Sequence, residues 1–396
     1  MIGVSKLYCN VVEPSDVLRY GRSSAKLPSH LLQFSADKKP VVVWNMTQRC
    51  NLRCVHCYSR SENIEYGDEL TTDEGIDLID DLAQFGVPVI LFSGGEPLMR
   101  RDFPELANHA REMGMRVVLS TNGTLITEKM ARVLREIDLS YVGVSLDGMR
   151  ETNDRFRGVN GAFDAALGGI QNCKMEKIKV GLRFTINKKN VSDVPAIFDL
   201  LKMENIPRVC FYHLVYAGRG SKLVKEDLSH EESRKTLDLI MKRTRALHES
   251  GFPIESLTVD NHCDGIYIYL SLLKEDPERA EEVYELLQMN RGNSSGIGIA
   301  CVSWDGSVHA DQFWRHYSFG NVRERKFSEI WTDTSDPVMA GLKNRKPLIK
   351  THGDRCAKCK WFDICNGNLR VRAEAVHNDI WADDPACYLT KDEIGY

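Results

Sequence analysis

Along the chain, short runs of apolar and β-branched residues alternate with longer stretches whose apolar positions recur at helical spacing. Six short runs end in turn or polar residues: VVVWNMT (41–47), VPVILFSGG (87–95), RVVLSTNG (116–123), YVGVSLDG (141–148), KVGLRFTIN (179–187) and RVCFYHLVY (208–216). Their near-continuous apolar character predicts strands covered on both faces. Between them, TTDEGIDLIDDLAQFG (71–86), FPELANHAREMG (103–114), TEKMARVLREID (127–138), GAFDAALGGIQNC (161–173) and DVPAIFDLLKMEN (193–205) predict helices. The first opens with a capping box from Thr71 to Glu74. Six strands alternating with helices predict an α/β fold with a parallel sheet and right-handed crossovers, either doubly wound or curled as a (β/α) barrel. In both, chemistry gathers beyond the carboxyl ends of the strands.

Residues 229–295 are charged, begin with a second capping box from Ser229 to Glu232, and read as a helical connecting region. The expected division is therefore a helix-containing strap over 1–37, a barrel over 38–228, the connection over 229–295 and a small cysteine-rich domain over 296–396. With 396 residues, 42% of them hydrophobic, the chain can bury a large core and a smaller one. No apolar run approaches the roughly 18–20 residues of a membrane span, and the N-terminus lacks the basic-then-apolar order of a signal peptide. A net charge of -4 gives no general attraction to nucleic acid. A cytoplasmic protein is expected, with neither membrane nor nucleic acid as partner.

Twelve cysteines in a reducing compartment point to ligation wherever they cluster. Seven do: Cys50, Cys54 and Cys57, then Cys356, Cys359, Cys365 and Cys387. Cys9, Cys173, Cys210 and Cys263 read as isolated small apolar residues. The first set, C-x3-C-x2-C, can hold three irons of a four-iron cubane and leave the fourth open to a small molecule. Zinc with His56 as fourth ligand competes, although His56 directly precedes Cys57 and turns inward with both neighbours only with difficulty.

Polar motifs occupy successive strand ends: the cysteine loop, then Gly94-Gly95-Glu96-Pro97, then Ser120-Thr121-Asn122-Gly123, then Ser145-Leu146-Asp147-Gly148. Together with Tyr58 beside the last cysteine, this set resembles the radical S-adenosylmethionine (SAM) enzymes over residues 38–220. The resemblance implies a partial (β/α)6 TIM-like barrel with a [4Fe-4S] cluster on Cys50, Cys54 and Cys57. It implies SAM held near Tyr58, with Gly94, Gly95 and Glu96 at its methionine amino group and Ser120, Asn122, Ser145 and Asp147 towards its ribose and carboxylate. Arg183 on the fifth strand suits the methionine carboxylate geometrically. The implied chemistry is reductive cleavage of SAM to a 5'-deoxyadenosyl radical that abstracts a substrate hydrogen, fed by a low-potential electron donor of flavodoxin or ferredoxin type.

The second set, C-x2-C-x5-C with Cys387 farther on, suits zinc or a second cubane. Following GNVRERKFSEIW (320–331), it resembles the SPASM/twitch extension of radical enzymes, which implies an auxiliary [4Fe-4S] cluster on Cys356, Cys359, Cys365 and Cys387. Leu369 stands where the full pattern has another cysteine, and no partner follows Cys301. Cys301 is therefore the remnant of a lost second cluster or a structural thiol.

Two segments, residues 26–59 and SVHADQFWRHYSFGNV (307–322), resemble the tetrapyrrole-tailoring branch of the family. That resemblance implies an iron tetrapyrrole substrate. The nearest reaction of the branch removes two acetate side chains from 12,18-didecarboxysiroheme to give Fe-coproporphyrin III. Haem d1 biosynthesis and SPASM peptide maturation are the alternatives; residues 1–37 are too few for the peptide-binding winged helix of many maturases. A non-enzymatic electron carrier leaves the three-thiol set unexplained. Candidate substrate contacts are His309, Phe313, Trp314, Arg315 and His316, with Arg155 and Arg157 after the fourth strand, and each also reads as packing or as a solvated face.

Overall fold

The computed structural model of the protein describes residues 1–13, 16–20 and 39–395. Its strands are β1 (Ile2–Gly3), β2 (Val41–Thr47), β3 (Val89–Gly94), β4 (Arg116–Thr121), β5 (Tyr141–Ser145), β6 (Val180–Ile186), β7 (Arg208–His213), β8 (Glu255–Val259), β9 (Ile299–Val302) and β10 (Val308–His309). They form one sheet in the order β1-β8-β7-β6-β5-β4-β3-β2-β9-β10. Strands β2 to β9 pair in parallel, and β1 and β10 add antiparallel edges. The six expected strands are β2 to β7, adjacent in chain order, so their carboxyl ends share one rim. This is the expected partial (β/α) barrel followed by a small cysteine-rich domain.

Local signals act as read. Thr71 caps the helix Thr72–Phe85 and Ser229 caps His230–Glu249, each through a reciprocal capping box. Trp44 of β2, Phe92 of β3 and Phe103 pack in succession with ring centroids 5.6 Å apart at each step, joining the sheet to the helix Phe103–Glu112.

The region 229–295 departs from its helical expectation. It holds the helices His230–Glu249, Cys263–Glu275 and Pro277–Asn290, but also β8, which extends the sheet beyond β7. The strand is polar, ESLTV, yet wholly buried. Glu255 is matched by Arg19 at 3.0 Å and Arg208 at 3.2 Å, which makes its burial tolerable. From the expected N-terminal strap, β1 pairs with β8 and the helix Val4–Cys9 packs on His230–Glu249. The strap also holds the helix Asp16–Tyr20, which carries Arg19; residues 14–15 and 21–38, and with them residues 26–38 of the tetrapyrrole-branch resemblance, lie outside the described residues. Among the described residues no helix is long and apolar enough to cross a membrane.

Candidate active site

The cysteine loop leaves β2 and is folded back by its neighbours. Arg53 and Val55 donate backbone N–H groups to the carbonyls of Arg157 (3.1 Å) and Phe156 (2.9 Å), at the end of the helix Arg150–Arg157. Arg219 Nε donates to the Cys54 carbonyl (2.8 Å) and its Nη1 to that of Ser61 (3.0 Å). The glycine turn after β3 lies flush on the same loop: Gly95 N donates to Thr47 O (2.7 Å) and Glu96 N to Arg49 O (2.8 Å). A Cβ at Gly94 would sit 2.4 Å from Thr47 O and one at Gly95 2.1 Å from Arg49 O, so only glycine permits this approach. The rim thus encloses an open cleft of about 1090 Å³.

All three loop thiols face this cleft. Leu52 N donates to Cys50 Sγ (3.4 Å), Arg157 Nη1 to Cys54 Sγ (3.5 Å), and the Ser59 hydroxyl lies 3.2 Å from Cys57 Sγ. These contacts favour sulfur anions, yet burial pushes Cys50 up to about 12 and raises Cys54 as well. Three thiolates therefore need positive charge between them, which an iron cluster supplies. Among the described residues no three His, Cys, Asp or Glu side chains close on a single metal ion, and His56 turns its Nε2 to Asp147 at 3.1 Å. The donor set fits a polynuclear cluster rather than zinc.

Asp147 braces the loop from beneath. Its Oδ2 pairs with Arg157 Nη2 (2.5 Å) as well as His56, and its Oδ1 accepts from Thr185 N (2.8 Å). Burial alone would raise this carboxyl, but Arg157 and His56 together hold it down at about 2. A carboxyl held below its ordinary value stabilises the fold above that value, and the gain is lost as pH falls towards 2. Asp147→Asn is therefore expected to cost on the order of 2 kcal/mol near neutral pH, more if Arg157 is left uncompensated. In thermal unfolding, the gap between variant and parent should narrow as pH falls from about 4 to about 2; a gap independent of pH would contradict the ion pair.

A second pocket, of about 490 Å³, gathers Cys356, Cys359, Cys365 and Cys387 with a fifth thiol, Cys263. Asp383 fixes the first of its turns by accepting from Arg355 N (2.8 Å) and Cys356 N (2.9 Å). Burial pushes Cys365 up to about 12 and Cys356 higher still, the same demand for metal charge as in the first site. Arg372 connects the two sites: it pairs with Asp384 (3.1 Å), both side chains fully buried, and donates to the carbonyl of Asp260 (2.8 Å) on the cleft wall.

Residues 44–201 match the Radical SAM superfamily profile and residues 295–360 the SPASM iron-sulfur cluster-binding domain. Over 396 residues, all of this chain and 99% of its relative, the sequence is 76% identical to the Fe-coproporphyrin III synthase of Methanosarcina barkeri. The chain belongs to the radical SAM superfamily. It is also 42% identical over 360 residues to the pre-heme d1 synthase of Dinoroseobacter shibae, covering 90% of this chain and 88% of that one. Streptococcus suis SuiB bound to S-adenosylmethionine shares the fold at a TM-score of 0.70 and 17% identity, over 89% of this chain and 78% of that one. As a radical SAM enzyme with a SPASM domain, the protein uses SAM, a four-iron cluster and an auxiliary iron-sulfur cluster.

Of the residues expected to meet SAM, Tyr58, Gly94, Gly95, Ser120, Asn122, Ser145 and Arg183 line the radical SAM cleft. Glu96 and Asp147 do not. Fully buried, Glu96 accepts from Thr121 Oγ1 (2.7 Å), Asn122 N (2.8 Å) and Leu98 N (3.2 Å), pinning the glycine turn to the end of β4. Tyr58 spends its hydroxyl on Asn45 (2.9 Å) and Ser93 (3.1 Å) and offers its ring. Arg183 Nε donates to the Tyr212 hydroxyl at 2.9 Å and has no acidic partner among the described residues.

The substrate candidates divide further. Phe313 lines the cleft and packs edge-on against Tyr58, and Arg157 lines it with its guanidinium committed to Asp147 and Cys54. His309 is buried with both ring nitrogens engaged, by Ser303 Oγ (3.0 Å) and Tyr317 O (2.7 Å), which removes it as an iron ligand. Trp314 is core, Arg315 is tied to Ser59 O (2.5 Å) and stacked on Trp304, His316 pairs with Glu374 on the surface, and Arg155 is solvated. Cys301 is buried on β9 and accepts a bond from Asn45 Nδ2 (3.3 Å). His213, Arg219, Asp260 and Gln312 line the cleft without having been singled out from sequence, and Cys263 joins the auxiliary thiols. His213 had a signal, since it closes a strand on the rim that carries the chemistry.

Proposed function

We propose that this radical SAM enzyme is an Fe-coproporphyrin III synthase, removing two acetate side chains from 12,18-didecarboxysiroheme. The 76% identity to the Methanosarcina barkeri enzyme of that name, end to end, carries the reading. When bound, the reduced cluster and SAM supply a 5'-deoxyadenosyl radical that takes a hydrogen atom from the substrate. In this reading Cys50, Cys54 and Cys57 hold that cluster, and the Leu52 amide, Arg157 and Ser59 donate to their sulfurs and keep them anionic. Arg183 takes the methionine carboxylate, while Gly94, Gly95, Ser120, Asn122 and Ser145 shape the wall around SAM.

The tetrapyrrole lies towards Phe313 and Tyr58, whose rings give it an apolar edge. Arg219 lines the cleft with its Nε and Nη1 committed to the cysteine loop, and so holds that loop in place beneath the substrate. Burial raises the Asp260 carboxyl at the cleft wall to about 6. Cys356, Cys359, Cys365 and Cys387 hold the auxiliary cluster. A low-potential donor of flavodoxin or ferredoxin type and a reducing cytoplasm complete the proposal.

Anaerobic incubation with SAM, a reductant and 12,18-didecarboxysiroheme tests it. Mass spectrometry of the tetrapyrrole is expected to show Fe-coproporphyrin III. A product that keeps both acetates, or one with the mass of pre-haem d1, would contradict the assignment.

A further inference from the structure

His213 is the last residue of β7 and lines the cleft. Its Nε2 lies 2.8 Å from Asp264 Oδ2, and among the described residues its Nδ1 makes no hydrogen bond. Asp264 is fully buried, and its other oxygen accepts from the Tyr388 hydroxyl at 2.6 Å. The carboxylate is thus held at both oxygens and leaves the imidazole one orientation, with Nε2–H donated backwards and Nδ1 left as an acceptor. A carboxylate behind a histidine is the arrangement that orients imidazoles on metals and strengthens them as ligands.

We infer that His213 is the axial ligand to the iron of the bound tetrapyrrole, oriented by Asp264 and Tyr388. The inference rests on the proposed tetrapyrrole substrate. The other candidate histidines are less suited. His56 also has an unbonded Nδ1, but that atom is sealed from solvent beneath the cysteine loop, whereas His213 Nδ1 is not among the sealed, unpartnered atoms. His309 has no free nitrogen.

The supports of His213 come from three parts of the chain. The histidine stands on the barrel, Asp264 follows Cys263, and Tyr388 follows Cys387; both of those cysteines face the auxiliary pocket. The ligand is therefore braced from the connecting region, by Asp264, and behind it from the domain that bears the second cluster, by Tyr388. Axial ligation at this point would fix both the height and the tilt of the macrocycle over the cleft.

The test uses the full chain with its clusters assembled, titrated anaerobically with ferric Fe-coproporphyrin III and, separately, metal-free coproporphyrin III. The parent is expected to bind the iron form at least about tenfold more tightly, with the visible and electron paramagnetic resonance signature of a nitrogen-ligated haem. His213→Ala should bring the iron form down to the affinity of the metal-free one, and added imidazole should restore the signature. Asp264→Asn should weaken the iron form by about tenfold or more while leaving the metal-free form unchanged. His213→Gln keeps a hydrogen-bonding group beside Asp264 but no ligand nitrogen, and serves if the alanine variant fails to retain its cluster iron. A His213 variant that keeps the parent's spectrum and its preference for iron would overturn the inference and leave the proposed function standing. A parent protein that binds neither porphyrin would overturn both.

Discussion

Replacing Cys50, Cys54 and Cys57 together by alanine is expected to abolish both 5'-deoxyadenosine formation and tetrapyrrole conversion, a loss of at least about a thousandfold, while about four irons remain bound. The size of the effect follows from the cleft. These are its only three thiols among the described residues, and each has its own donor from the surrounding loop or helix. The imidazole of the same loop, His56, offers no replacement, because its Nε2 is held by Asp147 and its Nδ1 is sealed. Iron analysis and quantification of 5'-deoxyadenosine check the result. Activity surviving in the triple variant would contradict the assignment of the open cluster.

Removing Cys356 and Cys359 should have the opposite partition. Iron falls from about eight to about four, cleavage of SAM continues, and the tetrapyrrole is not converted. A cluster with four thiol ligands has no open position for SAM, so its loss leaves the first site intact chemically. It does not leave the substrate wall intact, since Tyr388 beside Cys387 supports Asp264, and Arg372 joins this domain to Asp260. The expected signature is 5'-deoxyadenosine without product. Normal product yield from the double variant would assign this domain no part in turnover.

The fold was legible where burial and apolarity coincide. Strands β2 to β7 are mostly buried and correspondingly apolar, and both capping boxes depend only on residues three apart. Strand β8 escaped because its burial is supported by charge pairing, Glu255 with Arg19 and Arg208, partners 236 and 47 residues away that no local pattern reveals. The same difference runs through the site. Cysteine spacing and strand-end position located the cleft, because both are properties of the chain's order. Whether a polar side chain faces the ligand or the scaffold is not. Glu96, Asp147, Arg157 and His309 were natural candidates for contact by type, yet each is held by donors or charges from other elements. Conversely, His213 reads as one polar residue ending an apolar strand until Asp264 and Tyr388, distant in sequence, are seen behind it.

The central claim joins an open radical cluster to the removal of two acetate groups. The measurement that tests it most directly is the ratio of 5'-deoxyadenosine to Fe-coproporphyrin III formed in anaerobic turnover with 12,18-didecarboxysiroheme. One hydrogen abstraction for each side chain predicts about two molecules of 5'-deoxyadenosine per product, with the singly deacetylated tetrapyrrole appearing first. Fe-coproporphyrin III formed without 5'-deoxyadenosine, or 5'-deoxyadenosine accumulating while both acetates remain, would contradict the account.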